Sequence, residues 1–99
     1  LDRFVSGAVD RISPEAPIPI LRVGRETTML GGAGNVARHL ARLGADPVLV
    51  GPVGDDPEGR WLRALVPDGS LLVVLDDRPT TRKVRVLDGD ADVLRVDRE

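Results

Sequence analysis

Gly31-Gly32-Ala33-Gly34-Asn35-Val36-Ala37-Arg38-His39-Leu40-Ala41-Arg42-Leu43-Gly44 is the stretch that decides the fold. Closely spaced glycines open into a helix. Val36, Leu40 and Leu43 fall on one helical face with Ala33, Ala37 and Ala41 beside it, while Arg38 and Arg42 fall on another. Gly44 stands where a left-handed C-terminal cap belongs, and Pro47 prevents continuation. Next comes Val48-Leu49-Val50, a short apolar run expected to form a central parallel strand covered on both faces. Asp56-Pro57-Glu58 supplies an N-cap, a first-turn proline and an acidic first turn. It predicts a second short helix with Trp61, Leu62 and Leu65 turned inward. Leu71 to Leu75 is another fully apolar strand. The order strand, helix, strand after a glycine-rich helix start indicates an α/β layer.

Upstream, Ile12 to Leu21 contains Pro14, Pro17 and Pro19 and is expected to be extended, as an edge strand or an arm, because proline lacks the N–H a central ladder needs. Val23 to Met29 is expected to continue as strand after a turn near Gly24. From Thr80 the period becomes two. Val84 and Val86 lie on one face, with Lys83, Arg85 and Leu87 on the other. Asp88-Gly89-Asp90 signals a turn and Val93 to Val96 returns, so the last third is expected to be a hairpin.

The chain has 99 residues, 14 basic and 16 acidic side chains, a net charge of −2 and no cysteine. A compact chain of this mass would bury roughly 64% of its extended surface, enough for one modest core. Without cysteine there is no disulfide staple, no Cys-based zinc site and no thiol catalysis. The acidic balance, with Phe4 and Trp61 as the only aromatics, argues against a nucleic-acid surface. No apolar run reaches the ~18 residues a bilayer span needs, and the N-terminus has no signal-peptide pattern, so a soluble protein is expected.

Several residues are candidates for chemistry. The Gly31 to Asn35 segment lets a ligand approach the backbone at a helix start, where N–H groups favour anions or hydroxyl oxygens. Taken alone, a plain loop-to-helix turn, in which Asn35 could cap the helix, is the better account of it. It is neither a Walker A loop nor a Gly-x-Gly-x-x-Gly fingerprint. Asp55 and Asp56 could be a metal or acid pair, but their place before Pro57 makes capping the better account. Lys83, Arg85 and Arg95 on adjacent hairpin strands form either a phosphate-binding patch or solvated strand charges. His39 has no Asp, Glu or Cys at ligand spacing and reads as structural.

Together these pieces resemble the ribokinase-like carbohydrate kinases of the PfkB type. The resemblance runs through Leu1-Asp2-Arg3-Phe4, Gly31 to Ala37, Leu43-Gly44-Ala45, and Val50-Gly51-Pro52-Val53-Gly54-Asp55-Asp56 with Gly59. Within the family it is closest to bacterial heptose 7-phosphate kinases, including those joined to an adenylyltransferase. Arg11 to Ile20 matches that subfamily's arm, the Gly-Gly to Asn spacing is one residue shorter than in typical ribokinases, and Thr81 to Val86 resembles its second lid segment.

The resemblance implies the N-terminal part of a three-layer α/β/α domain with a small β-sheet lid, the lid lying mainly in residues 1–29 and 79–99 and the α/β core segment in 30–78. It implies transfer of the ATP γ-phosphate to the anomeric hydroxyl of heptose 7-phosphate, with Mg²⁺, for lipopolysaccharide-core precursor synthesis. By position Asp2 and Asn35 match residues that hold sugar hydroxyls, and Gly31 and Gly32 permit close sugar approach. Lys83, Arg85 and Arg95 are candidates for the 7-phosphate. A homodimer through the lid and a cytoplasmic setting follow from the same resemblance, with no nucleic-acid or membrane partner.

The family's opening strand ahead of Asp2 is absent, as are its Gly-Ala-Gly-Asp motif, catalytic base and nucleotide pocket. The 99 residues are therefore expected to be the sugar side of a kinase, as a fragment or a truncation, and inactive alone. Unpaired edges and apolar faces are expected at Val48 to Val50 and Leu71 to Leu75, favouring self-association. The alternatives are a non-catalytic dimerisation or sugar-binding module, or a kinase of this family for another sugar.

Overall fold

Two sheets organise the chain in the computed structural model, which describes residues 1–99. The elements run β1 (Asp2–Ile12), β2 (Pro19–Met29), α1 (Gly32–Arg42), β3 (Val50–Gly54), α2 (Pro57–Leu65), β4 (Leu71–Leu75), β5 (Arg82–Asp88) and β6 (Ala91–Arg98). The first sheet has the order β2-β1-β5-β6 and the second contains β3 and β4. In the first, β1 pairs antiparallel with β2 and parallel with β5, and β5 pairs antiparallel with β6. In the second, β3 and β4 are parallel, from Val50 opposite Leu71 to Gly54 opposite Leu75, with α2 as the crossover.

The proline-rich segment is the end, tip and restart of a hairpin. Ile12 closes β1 opposite Pro19, and the Ser13 N–H donates to the Ile18 carbonyl at 2.8 Å across the tip. Because β2 is an edge strand, Pro19 withholds no central ladder bond. Gly24 does not turn the chain. Ser6 pairs with Arg25 and Gly7 with Val23, so Gly24 is the extra residue of a β-bulge inside a continuous β2. Between β5 and β6, Gly89 takes φ +58 at the first position of the two-residue loop, as the expected hairpin requires.

Helix α1 ends as its glycine indicates. Gly44 has φ +89, its N–H donates to Ala41 and the Ala45 N–H to Leu40, both at 3.1 Å, which is a Schellman closure. Its inward face differs from the expected one. Gly34 and Ala37 are buried, while Val36 is 58%, Leu40 43% and Leu43 84% exposed. An apolar stripe shows where a helix would take a partner, and the two-stranded sheet provides none on that side.

The apolar run after α1 is corrected in the same sense. The strand begins at Val50 rather than Val48, and Val48 and Val50 stay 64% and 66% exposed. Within this chain β3 has one neighbour, β4. Leu71, Val73 and Val74 are also exposed, and both runs thus show the apolar faces expected of them. In α2, Trp61 and Leu62 are half-buried but Leu65, at the helix end, is exposed.

The resulting body is a plate of 51 × 34 × 15 Å with a radius of gyration of 16.6 Å, against about 13 Å for a compact domain of this length. Its surface is 6895 Å², where the scaling for a compact monomer gives about 5,500 Å². The modest core expected from composition is correspondingly thin: Leu30, Ala37 and Val53, with Thr80 as the buried polar residue. No helix is long and apolar enough to cross a membrane.

Candidate functional site

Strand register assembles the site. Residues directly opposite one another share a sheet face, as do alternate residues along a strand. Asp2 of β1 lies opposite Lys83 of β5, which lies opposite Asp97 of β6. The next row on that face is Phe4, Arg85 and Arg95, with Thr27 of β2 beside Phe4. One face thus brings together Asp2, Lys83, Arg85 and Arg95, four of the seven residues singled out from sequence. The opposite face carries Val5, Val84, Val86, Leu94 and Val96.

Gly31 belongs to the same place. Because Asp2 pairs with Met29, the chain leaving β2 through the buried Leu30 passes directly over Asp2 as it enters α1. A Cβ on Gly31 would stand 2.8 Å from Asp2 Cγ and Oδ2, closer than non-bonded atoms approach. Only glycine leaves the carboxylate where it is. Gly31 is also the N-cap residue of α1, and no side chain caps that helix. Asn35 is therefore not the cap. It lies one turn inside α1, half-buried, with no side-chain hydrogen bond. Gly32 follows with φ +46 and open space around it.

The basic groups are not equivalent. Arg95 grips Asp97 with two hydrogen bonds, Nε to Oδ1 at 2.8 Å and Nη2 to Oδ2 at 2.6 Å. The Arg95 pairing, against a smaller opposing effect of burial, holds Asp97 below its ordinary carboxylate value, with Lys83 and Arg85 contributing. The same pairing raises Arg95. Lys83 and Arg85 form no ion pair, and Arg85 faces Arg95 across the β5–β6 ladder. Like charges set opposite each other disfavour the empty face. An anion placed there would relieve that repulsion. Next to these rows Phe4, Ser6, Arg25, Thr27 and Met29 line an open groove of about 370 Å³. The Asp2-x-Phe4-x-Ser6 alternation carried that signal in the sequence, but without a partner strand it had no assigned face.

Of the other candidates, Asp55 pairs with Arg60 at 3.3 Å and His39 is exposed on α1. Asp56 caps α2, its carboxylate accepting from the Gly59 N–H at 2.8 Å. Sequence reading did not reveal that the same carboxylate also binds Thr80. It accepts the Thr80 N–H at 2.8 Å and the Thr80 hydroxyl at 2.5 Å. Burial disfavours the charged form of Asp56, but the hydrogen bonds from Thr80 and Gly59 together outweigh it and hold its pKa below the ordinary value.

That depression fixes a pH dependence. An unfolded aspartate titrates near about 3.9, so the stability Asp56 contributes is complete above that pH. It is lost as pH falls through the lower folded value. Asp56→Asn cannot ionise. Its deficit in urea midpoint relative to the parent sequence is expected to be full at neutral pH and to shrink on acidification through the carboxylate range. A gap that does not change with pH would show that the charge adds nothing.

Known proteins resemble this chain in sequence and in fold. A family profile described as pfkB family carbohydrate kinase matches residues 3–97. The bifunctional protein HldE of a Caulobacter species is 58% identical over 103 residues, covering 100% of this chain and 21% of that protein. HldE of Caulobacter vibrioides is 57% identical over the same coverage. The D-beta-D-heptose 7-phosphate kinase of Bordetella bronchiseptica is 48% identical over 102 residues, covering 100% of this chain and 33% of that enzyme. The chain thus spans between a fifth and a third of the length of these relatives. A carbohydrate kinase structure from Agrobacterium tumefaciens superposes with a TM-score of 0.65 at 22% identity, over 97% of this chain and 31% of that one, a likeness of fold.

Proposed function

This chain belongs to the pfkB family of carbohydrate kinases, and on that premise we propose that it forms the acceptor-sugar side of a kinase for heptose 7-phosphate, making heptose 1,7-bisphosphate. The observation that carries the reading is the single sheet face on which the Asp2 carboxylate meets three basic side chains, one of them, Arg95, held by Asp97. A sugar phosphate needs that combination: an acceptor for hydroxyls and cations for the phosphate.

In this reading Asp2 accepts a hydrogen bond from a sugar hydroxyl and orients the ring against Gly31 and Gly32, where the missing Cβ atoms let it approach the backbone. Asn35, with both donor and acceptor, holds a second hydroxyl. Lys83 and Arg85 bind the 7-phosphate, and Arg95 exchanges Asp97 for it. Residues 1–29 and 79–99 then act as a lid over the sugar, and residues 30–78 contribute to the three-layer α/β/α core. A homodimer through the lid sheet, and a cytoplasmic setting, complete the proposal.

Kinases of this family use ATP and Mg²⁺, which supply the phosphoryl group and neutralise its charge when bound. No three His, Asp or Glu side chains of this chain converge as a metal site. The acceptor side is what its own residues account for, by positioning the hydroxyl. Asn35→Ala in the parent kinase is expected to raise the sugar KM about tenfold, the equivalent of one neutral hydrogen bond of about 1.4 kcal/mol, and to leave the ATP KM within twofold. Steady-state kinetics with each substrate varied in turn check this; unchanged sugar kinetics would remove Asn35 from the site.

A further inference from the structure

The four-stranded sheet and the β3–α2–β4 unit are tied side chain to side chain at one polar junction. The Asp56 carboxylate, while capping α2, takes both the N–H and the hydroxyl of Thr80, 24 residues on. The Thr80 hydroxyl oxygen in turn accepts the N–H of Gly54, the last residue of β3, at 2.9 Å. Two residues further along each segment, Glu58 accepts from Arg82 at 2.7 Å, with side chains only 21% and 27% exposed. Thr80 is itself 4% exposed. Arg82 Nε is buried without an acceptor, so the ion pair is single-pronged and the Asp56–Thr80 set is the better satisfied of the two.

The placement of this junction matters because β5 starts there. Arg82 opens the strand that carries Lys83 and Arg85 and that lies against Asp2. We propose that Asp56–Thr80 and Glu58–Arg82 form a two-point latch that fixes the angle at which the four-stranded sheet leaves the β3–α2 unit. Asp56 and Thr80 are thereby positioning residues for the sugar-facing Lys83 and Arg85. The proposal rests on the kinase reading for its catalytic consequence, but the latch itself can be observed without substrate.

Three variants of the full-length protein test it. Asp56→Asn keeps an oxygen for the α2 cap but turns an NH₂ group toward the Thr80 N–H, so donor faces donor. Thr80→Val removes the hydroxyl at nearly constant volume, and Thr80→Ser restores it. Hydrogen exchange on the substrate-free protein is expected to be at least tenfold faster at residues 54–60 and 80–84 in Asp56→Asn and Thr80→Val, with Thr80→Ser close to the parent. The sugar KM is expected to rise about tenfold in the first two variants, with the ATP KM unchanged and Thr80→Ser again near the parent. Unchanged exchange at those segments would overturn the latch, as would an ATP KM that rises as much as the sugar KM, or a Thr80→Ser variant that behaves like Thr80→Val. If the parent protein turns over no sugar phosphate, the kinase reading falls and the exchange pattern alone decides the latch.

Discussion

Asp2→Ala is expected to lower kcat/KM for the sugar phosphate by about a hundredfold in the proposed kinase. A hydrogen bond to a charged group contributes about 1.5–3 kcal/mol, which spans roughly ten- to a hundredfold in rate. The upper end applies because the substitution also leaves Lys83 with no carboxylate opposite it on β1. Gly31→Ala should reproduce much of the loss without touching the carboxylate chemically. Its Cβ would occupy the position 2.8 Å from Asp2 Oδ2, and the end of a short side chain gives way more readily than backbone. About a tenfold loss is expected from it. Since both changes act through one carboxylate, the double variant should be little worse than Asp2→Ala. Independent, multiplying losses would show that Gly31 serves some purpose other than making room for Asp2.

A large effect on stability is expected at Gly59. A Cβ there would run into the carbonyl oxygen of Gly54 and come within 2.9 Å of Thr80 Oγ1 and 3.2 Å of Asp56 Oδ1. The first obstacle is backbone of β3 and cannot rotate aside. Overpacking of this kind costs about 1–3 kcal/mol, and the upper end is expected because the same spot holds the Asp56–Thr80 hydrogen bonds. Gly51→Ala is the control, since a Cβ at Gly51 meets nothing within 4 Å. It should stay within about 0.5 kcal/mol of the parent. Urea midpoints for the two variants decide the matter, and equal midpoints would contradict the packing described at the α2 N-terminus.

Local signals were legible in the sequence where one residue has one meaning. Gly44 closes α1, Asp56 and Pro57 open α2, and Gly89 turns the β5–β6 hairpin, each because backbone geometry admits few other residues. Gly24 suits a turn in the sequence and is a bulge in the fold, because glycine serves both and only the partner strand distinguishes them. The stripe of Val36, Leu40 and Leu43 marks a face without revealing whether anything covers it, and here it stays exposed. Nothing local could show that β1 lies parallel to β5, some 80 residues away, since the pairing depends on the whole chain.

The candidate site divides in the same way. Asp2, Gly31, Asn35, Lys83, Arg85 and Arg95 were reachable from residue type and resemblance. The geometry adds that Asp2, Lys83, Arg85 and Arg95 share one face, that Gly31 is held free for Asp2, and that Arg95 is already engaged by Asp97. Asn35 lies in the first half of α1, its N–H bonded to the Gly31 carbonyl and its side chain without a hydrogen bond. Thr80 carried no signal, because a threonine between Pro79 and Thr81 looks like any loop residue until a carboxylate is found beside it.

The central claim is that this sheet face recognises a sugar that already carries a phosphate. It is tested most directly by comparing kcat/KM of the full-length protein, with ATP, for heptose 7-phosphate and for the same heptose without its phosphate. The account predicts a preference of about a hundredfold or more for the phosphorylated sugar, as expected when a site built for a charged group meets a substrate lacking it. It also predicts that Lys83→Ala combined with Arg85→Ala removes most of that preference. Equal turnover of the two sugars, or a preference that survives the double substitution, would contradict it.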